Sequence, residues 1–470
     1  MNIVDYILDL NIPVSRFGKT HSTWILSLAL AVHLVASRSQ AAVSTGSVCN
    51  LPVAMGTPGI RMLPAGRAPT HINVMPSRYW DTVYTLAGMR QTNVALVEVQ
   101  GNALGPAAPG DDIGSYYLIP KLVRWLGLPV ATTFDILYGS LIGLGFLAGA
   151  LNLTRLFEKW PARAIAVLGM LLLALVAYKI GDVYCFFFVT AAVTVPWMLL
   201  LARRPCNNFW VLALFVLLGV LIGIANAVRS QSGTAALLFA CGIVVFQLSA
   251  RKSYKLALLV CLGLGLLAPK LFLGRLIARR DAYLSARCPE YNAHVSRHLL
   301  WHAVYAGMGY LQNDYGLRWE DSVCYQKVLS LAPGTEFGSP EYERILKDQV
   351  LQLAEHHPWF VFTTLASKAG VVLIVLLFSA NFGLIAAFVR HKPLPVELAF
   401  WVAIAFNSLF GILVYPLPQY LFGLISFGAL YGMTSLGFAL EPGCLGNRRR
   451  DQVVIAVASS DRNLKVMAVR

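Results

Sequence analysis

Apolar runs of about 20 residues, each long enough to cross a bilayer core as a helix, recur along most of the chain. They fall near residues 22–40, 129–151, 162–179, 182–202, 209–228, 233–250, 256–273, 368–389, 396–415 and 418–440, which predicts ten spans. Two long stretches, 41–128 and 274–367, interrupt the series. Within the first, "SRYWDTVYTLAGMRQ" sets Trp80, Val83, Tyr84 and Ala87 on one helical face behind Ser77 as a cap, the pattern of a helix lying on a membrane surface. Within the second, "SPEYERILKDQVLQLAEHHPWF" offers Ser339 as a cap, Pro340 at the first helical position and an apolar stripe through Tyr342, Ile345, Leu346 and Leu353. The expectation is an all-α integral membrane protein. Residues 1–21 precede a seven-span module over 22–273; the second long loop, three further spans over 368–440 and a tail over 441–470 follow. The run at 22–40 also fits a cleaved signal peptide, because Arg16 and Lys19 precede it and "VASRSQAA" follows.

Composition agrees: 57% of the side chains are apolar, 13% are charged, and the mean hydropathy is +0.63. A formal charge of +15 would suggest nucleic acid if the cations formed one domain, but they lie mostly between the apolar runs. One alternate set of short connections carries Arg155, Lys159 and Arg163, then Arg203 and Arg204, then Arg251, Lys252 and Lys255, then Arg390 and Lys392. The opposite short loops offer only Lys179 and Arg229. Positive charge marks the cytoplasmic side, so both termini are expected inside and both long loops outside. Cys49, Cys288 and Cys324 then lie outside, where Cys288 and Cys324 either close a disulfide contributing about 3–4 kcal/mol or stay free.

No internal repeat or midplane charge suggests a transporter, and candidate chemistry concentrates in the long loops. "GDDIGSYYLIPKLVRWLG" puts Asp111 and Asp112 at a helix start beside Tyr116, Tyr117 and Trp125. One acid can cap the helix while the other, partly desolvated, acts as a base. "YKIGDVY" places Asp182 in a tight turn between two spans, where turn chemistry alone also explains it. Lys270, Arg275, Arg279 and Arg280 form a cationic collar after the seventh run, suited either to a phosphate group or to anionic lipid heads. His294, His298 and His302 recur every four residues and share a helical face, a weak metal pattern that equally suits a polar packing face. The run "LLWHAVYAGMGYLQNDYGLRWEDSVCY" combines His302, Tyr305, Tyr310, Asn313 and Tyr315. Aromatic faces beside hydrogen-bonding groups suit a sugar pocket or a packed cap.

This arrangement of about ten spans, an acidic motif in the first outer loop and a second long loop after the seventh span resembles the GT-C superfamily of polyprenyl-phosphate-sugar-dependent glycosyltransferases. The resemblance covers most of the chain as topology and only short pieces as motif. It implies a multi-pass enzyme of the bacterial inner membrane with its active site on the periplasmic face. The donor would be a polyprenyl-phosphate-linked sugar and the acceptor a periplasmic glycan, lipid or protein. It implies a base at Asp111 or Asp112, Asp182 as its partner or as a ligand to a divalent cation such as Mg or Mn, and the collar of Lys270, Arg275, Arg279 and Arg280 as a phosphate clamp. His298, His302, Tyr305, Tyr310, Asn313 and Tyr315 would bind substrate. One departure is that the acidic motif lies near the second span rather than just after the first, which leaves Asp81 and Glu98 as rival counterparts. An O-antigen ligase or polymerase and a flippase for the lipid-linked sugar are the alternative readings.

Overall fold

A computed structural model describes residues 68–100, 103–107, 112–203, 208–288, 291 and 299–441. The run at 22–40, Cys49, Asp111, His294, His298 and the basic tail lie outside these residues. The described chain is almost wholly helical. In order it forms α1 (Pro76–Thr92), β1 (Val97–Gln100), β2 (Ala103–Pro106), α2 (Ile113–Leu126), α3 (Val130–Leu156), α4 (Trp160–Ile180), α5 (Cys185–Arg203), α6 (Phe209–Val228), α7 (Thr234–Gly242) and α8 (Lys252–Ser285). Then come α9 (Leu300–Gly307), α10 (Asp321–Leu331), α11 (Pro340–His356), α12 (Pro358–Ala380), α13 (Phe382–Val389), α14 (Leu394–Leu413) and α15 (Phe422–Leu440).

Among the described residues, eight helices are long and apolar enough to cross a membrane: α3, α4, α5 with the turn before it, α6, α8, α12, α14 and α15. The chain is a multi-pass membrane protein on this measure. The run at 233–250 is the exception. Its nine helical residues end in a five-residue π turn, Ile243–Gln247, so it spans only about 21 Å at 1.5 Å per residue. The Lys255 ammonium closes that turn by donating to the Val245 carbonyl at 2.9 Å. The run at 368–389 also differs: the helix starts at Pro358 and breaks at Asn381, whose φ is 48°. Pro at the first position begins a helix without loss of a hydrogen bond, so residues read as interfacial loop join the span.

α5 and α15 form the centre of the bundle, with 83% and 72% of their spans buried, while α8 and α12 are peripheral at 22% each. α3 packs on α4 and α5, α6 on α8, α7 on α14, and α15 against α4, α5, α12 and α13. At one end, Glu441 accepts from the Glu158 and Lys159 amides at 2.6 and 3.0 Å, and Arg203 pairs with Glu158 at 2.6 Å. At the other end the two long loops pack together. The hairpin β1–β2, an addition to the all-α expectation, sets Val97 and Leu104 against Leu284 and Cys288. Leu96 and Ala107 meet Ile113, Tyr116 and Ile277 beside it.

The second loop shortens to a compact cap. α8 runs unbroken for 34 residues, about 51 Å, so the collar residues sit on a helix that continues beyond the bilayer. α9, α10 and α11 then pack around Val304, Tyr305, Cys324, Tyr342 and Leu346. Ser339 caps α11 by accepting from the Tyr342 amide at 3.1 Å, with Pro340 at its first position. Cys324 is a buried free thiol, pushed up to about 12 chiefly by burial. Cys288 is disulfide-bonded to a partner other than Cys324, so a bridge between these two does not form.

Candidate functional site

The loop-bearing end of the bundle gathers charge from four separate segments. The first is the buried face of α1, which is not the aromatic face that the sequence suggested. Arg78, Asp81, Thr82, Thr85 and Met89 point inward, while Trp80, Val83, Tyr84 and Ala87 are half-buried. Residues three and four apart share a face, so the polar series at 78, 81, 82 and 85 was visible, but it read as the solvent side. Thr82 and Thr85 satisfy their hydroxyls on the carbonyls of Arg78 and Asp81 at 2.8 and 2.7 Å. Asp81 accepts from the Tyr116 hydroxyl at 3.5 Å.

The second segment is the start of α2. Asp112 occupies its N-cap position without donating a side-chain cap; the backbone carbonyl instead accepts from the Ser115 amide and hydroxyl at 2.9 and 2.7 Å. Gly114 lets this turn sit directly on the end of α6, since a Cβ there would fall 2.5 Å from the Ala227 carbonyl oxygen. That approach brings Asp112 beside Arg229, the third element. The fourth is the turn between α4 and α5, where Gly181 and Asp182 both adopt left-handed backbone, φ 65° and 53°. A Cβ at residue 181 would meet the Asn73 carbonyl oxygen at 2.4 Å, so the turn closes tightly on the strand of chain leading into α1. Asp135 on α3 anchors that same strand by accepting from the His71 and Ile72 amides at 3.1 and 2.9 Å.

Arg78 joins the segments. Its Nη2 donates to Asp112 Oδ2 and its Nη1 to Asp182 Oδ2. Arg229 Nη1 donates to Asp112 Oδ1 at 3.1 Å. The Met75 and Val183 amides donate to the two oxygens of Asp182 at 3.2 and 2.8 Å. Arg78, Asp112 and Asp182 are 6%, 7% and 2% exposed, so these are buried ion pairs, in which loss of one partner is costly. The Arg229 guanidinium lies 5.0 Å from the Tyr184 ring centre and 5.8 Å from that of Tyr420. A cavity of about 250 Å³ opens next to the cluster, lined by Asn73, Lys179, Asp182, Tyr184, Pro418 and Gln419 among others. Asp182 faces this cavity and Asp112 does not line it.

Burial alone would push the Asp112 carboxyl up, but Arg78 and Arg229 outweigh it and hold the carboxyl below its ordinary value. A carboxyl depressed in the folded state binds fewer protons there than in the unfolded chain, so its contribution is present at neutral pH and lost as acid protonates it. The stability gap between wild type and Asp112→Asn should therefore hold steady above about pH 5 and close below about pH 4. Thermal unfolding in detergent over that range checks it.

The other predicted residues divide. Arg280 is buried and engaged by Asp281 at 2.7 Å, and Tyr291 shares the same carboxylate at 2.8 Å. Lys270, Arg275 and Arg279 are exposed. Ile277 faces Ile113 and Tyr116, and residues two positions away on a helix point nearly opposite, so Arg275 and Arg279 face away from Asp112. The phosphate collar is thus not assembled around the carboxylates. His302 is a cap-core residue: its ring nitrogens meet Tyr342 Oη at 2.7 Å and Asp321 Oδ1 at 3.0 Å. Tyr305 lies in the same core. Asn313 holds its own loop, donating to the carbonyls of Leu311 and Leu317 at 2.8 and 3.0 Å. Tyr315 packs on His357 and Phe360. Tyr310 alone connects to the charge cluster, through Tyr415, Trp319 and Tyr420, whose successive ring centres lie 5.2, 4.7 and 6.2 Å apart, and on to Tyr184 at 6.0 Å.

A divalent cation does not fit the described donors. Every oxygen of Asp112 already takes an arginine, and Asp182 takes an arginine and two amides. Among the described residues no three His, Cys, Asp or Glu side chains converge. Sequence reasoning missed Arg78 altogether and met Arg229 and Lys179 only as exceptions to the charge bias; that exception was the available signal. Comparison of the chain with known protein families, with curated proteins and with solved structures finds no match.

Proposed function

We propose that the chain is a membrane glycosyltransferase, moving a sugar from a polyprenyl-phosphate-linked donor to an acceptor on the periplasmic side of a bacterial inner membrane. The observation that carries this reading is the meeting of Asp112 and Asp182 on Arg78, at the loop-bearing end of the spans and beside a cavity. Two acids 70 residues apart have no local reason to meet.

The roles differ from those expected. Asp112, with a guanidinium on each oxygen, is a poor proton acceptor and serves as an anchor for Arg78. Asp182 lines the cavity, and its Oδ1 is bonded only to the neutral Val183 amide, which makes it the base. In the proposed step an acceptor hydroxyl gives its proton to Asp182 while its oxygen bonds the anomeric carbon. The bond from that carbon to the phosphate oxygen breaks, and the phosphate leaves with the electron pair. Lys179, on the same cavity wall, meets the negative charge that develops there. A single displacement inverts the anomeric configuration. The exposed Lys270, Arg275 and Arg279 then attract anionic head groups at the membrane surface.

A carrier for the lipid-linked sugar is the rival, favoured by the full pairing of Asp112 with arginines. Mass spectrometry of envelope glycans and lipid-linked sugars from a strain lacking the chain separates outcomes. A transferase predicts loss of one sugar with build-up of its polyprenyl-phosphate form; an unchanged profile counts against the reading.

A further inference from the structure

Two buried polar groups near the cluster have no partner. The Tyr138 hydroxyl, on a residue 1% exposed, makes no hydrogen bond, and neither does Arg78 Nε, although both Nη atoms of that guanidinium are engaged. Tyr138 packs on Phe134 with ring centres 5.7 Å apart, and Phe134 in turn meets Tyr79 on α1, the neighbour of Arg78. Its phenol lies within electrostatic range of Asp182, Cys185, Arg78 and Asp112. A buried donor or acceptor left unmade costs about 1–3 kcal/mol, and buried side-chain polar atoms in native proteins are nearly always bonded to protein or to ordered water. Two such groups in one neighbourhood, next to a carboxylate oxygen with spare capacity, mark a place for a third party.

We propose that Tyr138, Arg78 Nε and Asp182 Oδ1 enclose a binding site for one small hydroxylic molecule, which in the ligand-free protein is water. The chemistry of the three groups selects it. Arg78 Nε only donates, Asp182 Oδ1 only accepts, and a phenol does either, so the guest must both donate and accept, with two to four partners as buried waters have. An anion would confront Asp182 and a cation would confront Arg78. The cavity bordering Asp182 gives a route of entry. The site stands independently of the transferase reading and adds Tyr138, a residue the sequence gave no reason to single out.

Radiolytic hydroxyl labelling of the purified full-length protein in detergent tests this, because millisecond X-ray pulses oxidise side chains that touch water, buried or not. Tyr342 is the dry control: it is 0% exposed and its hydroxyl is bonded to His302. Tyr138 should be oxidised about tenfold faster than Tyr342, as expected for a ring in contact with a bound water, and should carry ¹⁸O when the solvent does. Tyr138→Phe removes one partner of the water and should lower the unfolding midpoint. Equal, slow labelling of Tyr138 and Tyr342 would overturn the proposal. So would a Phe variant whose midpoint is unchanged or raised, the result for a hydroxyl with nothing to lose.

Discussion

Replacing Arg78 with methionine is expected to destabilise the protein by about 3–5 kcal/mol, the usual effect of removing one partner from a buried ion pair. Methionine keeps the unbranched length of the side chain, so the loss is electrostatic more than steric. It strands Asp182 without any guanidinium and leaves Asp112 with Arg229 alone. The same change also uncouples α1 from α2 and from the α4–α5 turn, so the loop-bearing end should loosen before the bundle does. Denaturant unfolding in detergent gives the magnitude. A double variant locates it: adding Asp182→Asn to Arg78→Met should recover part of the loss, because a neutral amide no longer needs the missing charge. Adding Asp348→Asn, at an exposed site on α11, should recover none, since distant sites add independently. A loss under about 1 kcal/mol for Arg78→Met would mean that the pairs are solvated and contribute as surface pairs do.

Hydropathy made most of the bundle legible because the cost of unpaired backbone in lipid forces every apolar run of sufficient length into a helix. Local cap chemistry made α11 legible for a similar reason: Ser339 and Pro340 act on the backbone next to them. The extension of α8 to Ser285 was not legible, since its outer turns lose hydrophobicity where they meet the hairpin, and only Val97 and Leu104, far off in sequence, reward the continuation. The short α7 was hidden because a π turn has no strong sequence signature.

The site was half legible. Asp112 and Asp182 could be named from charge placed at span ends, where it is costly. Their partner could not: Arg78 lies on a face that reads as solvent-exposed until Asp182, 104 residues later, closes over it. The aromatic and polar mixture of the second loop carried the opposite ambiguity. His302, Tyr305 and Asn313 have the composition of a sugar pocket, and the same composition packs a small cap once Tyr342 and Asp321 supply the hydrogen bonds. Tertiary partners, which composition does not encode, decided both cases.

Asp182→Asn is expected to abolish product formation while leaving the fold in place, because asparagine keeps the size of the side chain and the oxygen that accepts from the Val183 amide but has negligible basicity. A positioned general base contributes about 10²–10⁴-fold to rate, so residual product should fall below detection in cells. Asp112→Asn, acting through Arg78, should leave a measurable fraction. The decisive measurement is complementation of a strain lacking the chain with wild type or with Asp182→Asn at matched membrane levels, scoring the missing sugar and its polyprenyl-phosphate form by mass spectrometry. The transferase account predicts that wild type restores the sugar, whereas Asp182→Asn does not and the lipid-linked donor accumulates. Full restoration by Asp182→Asn would contradict it.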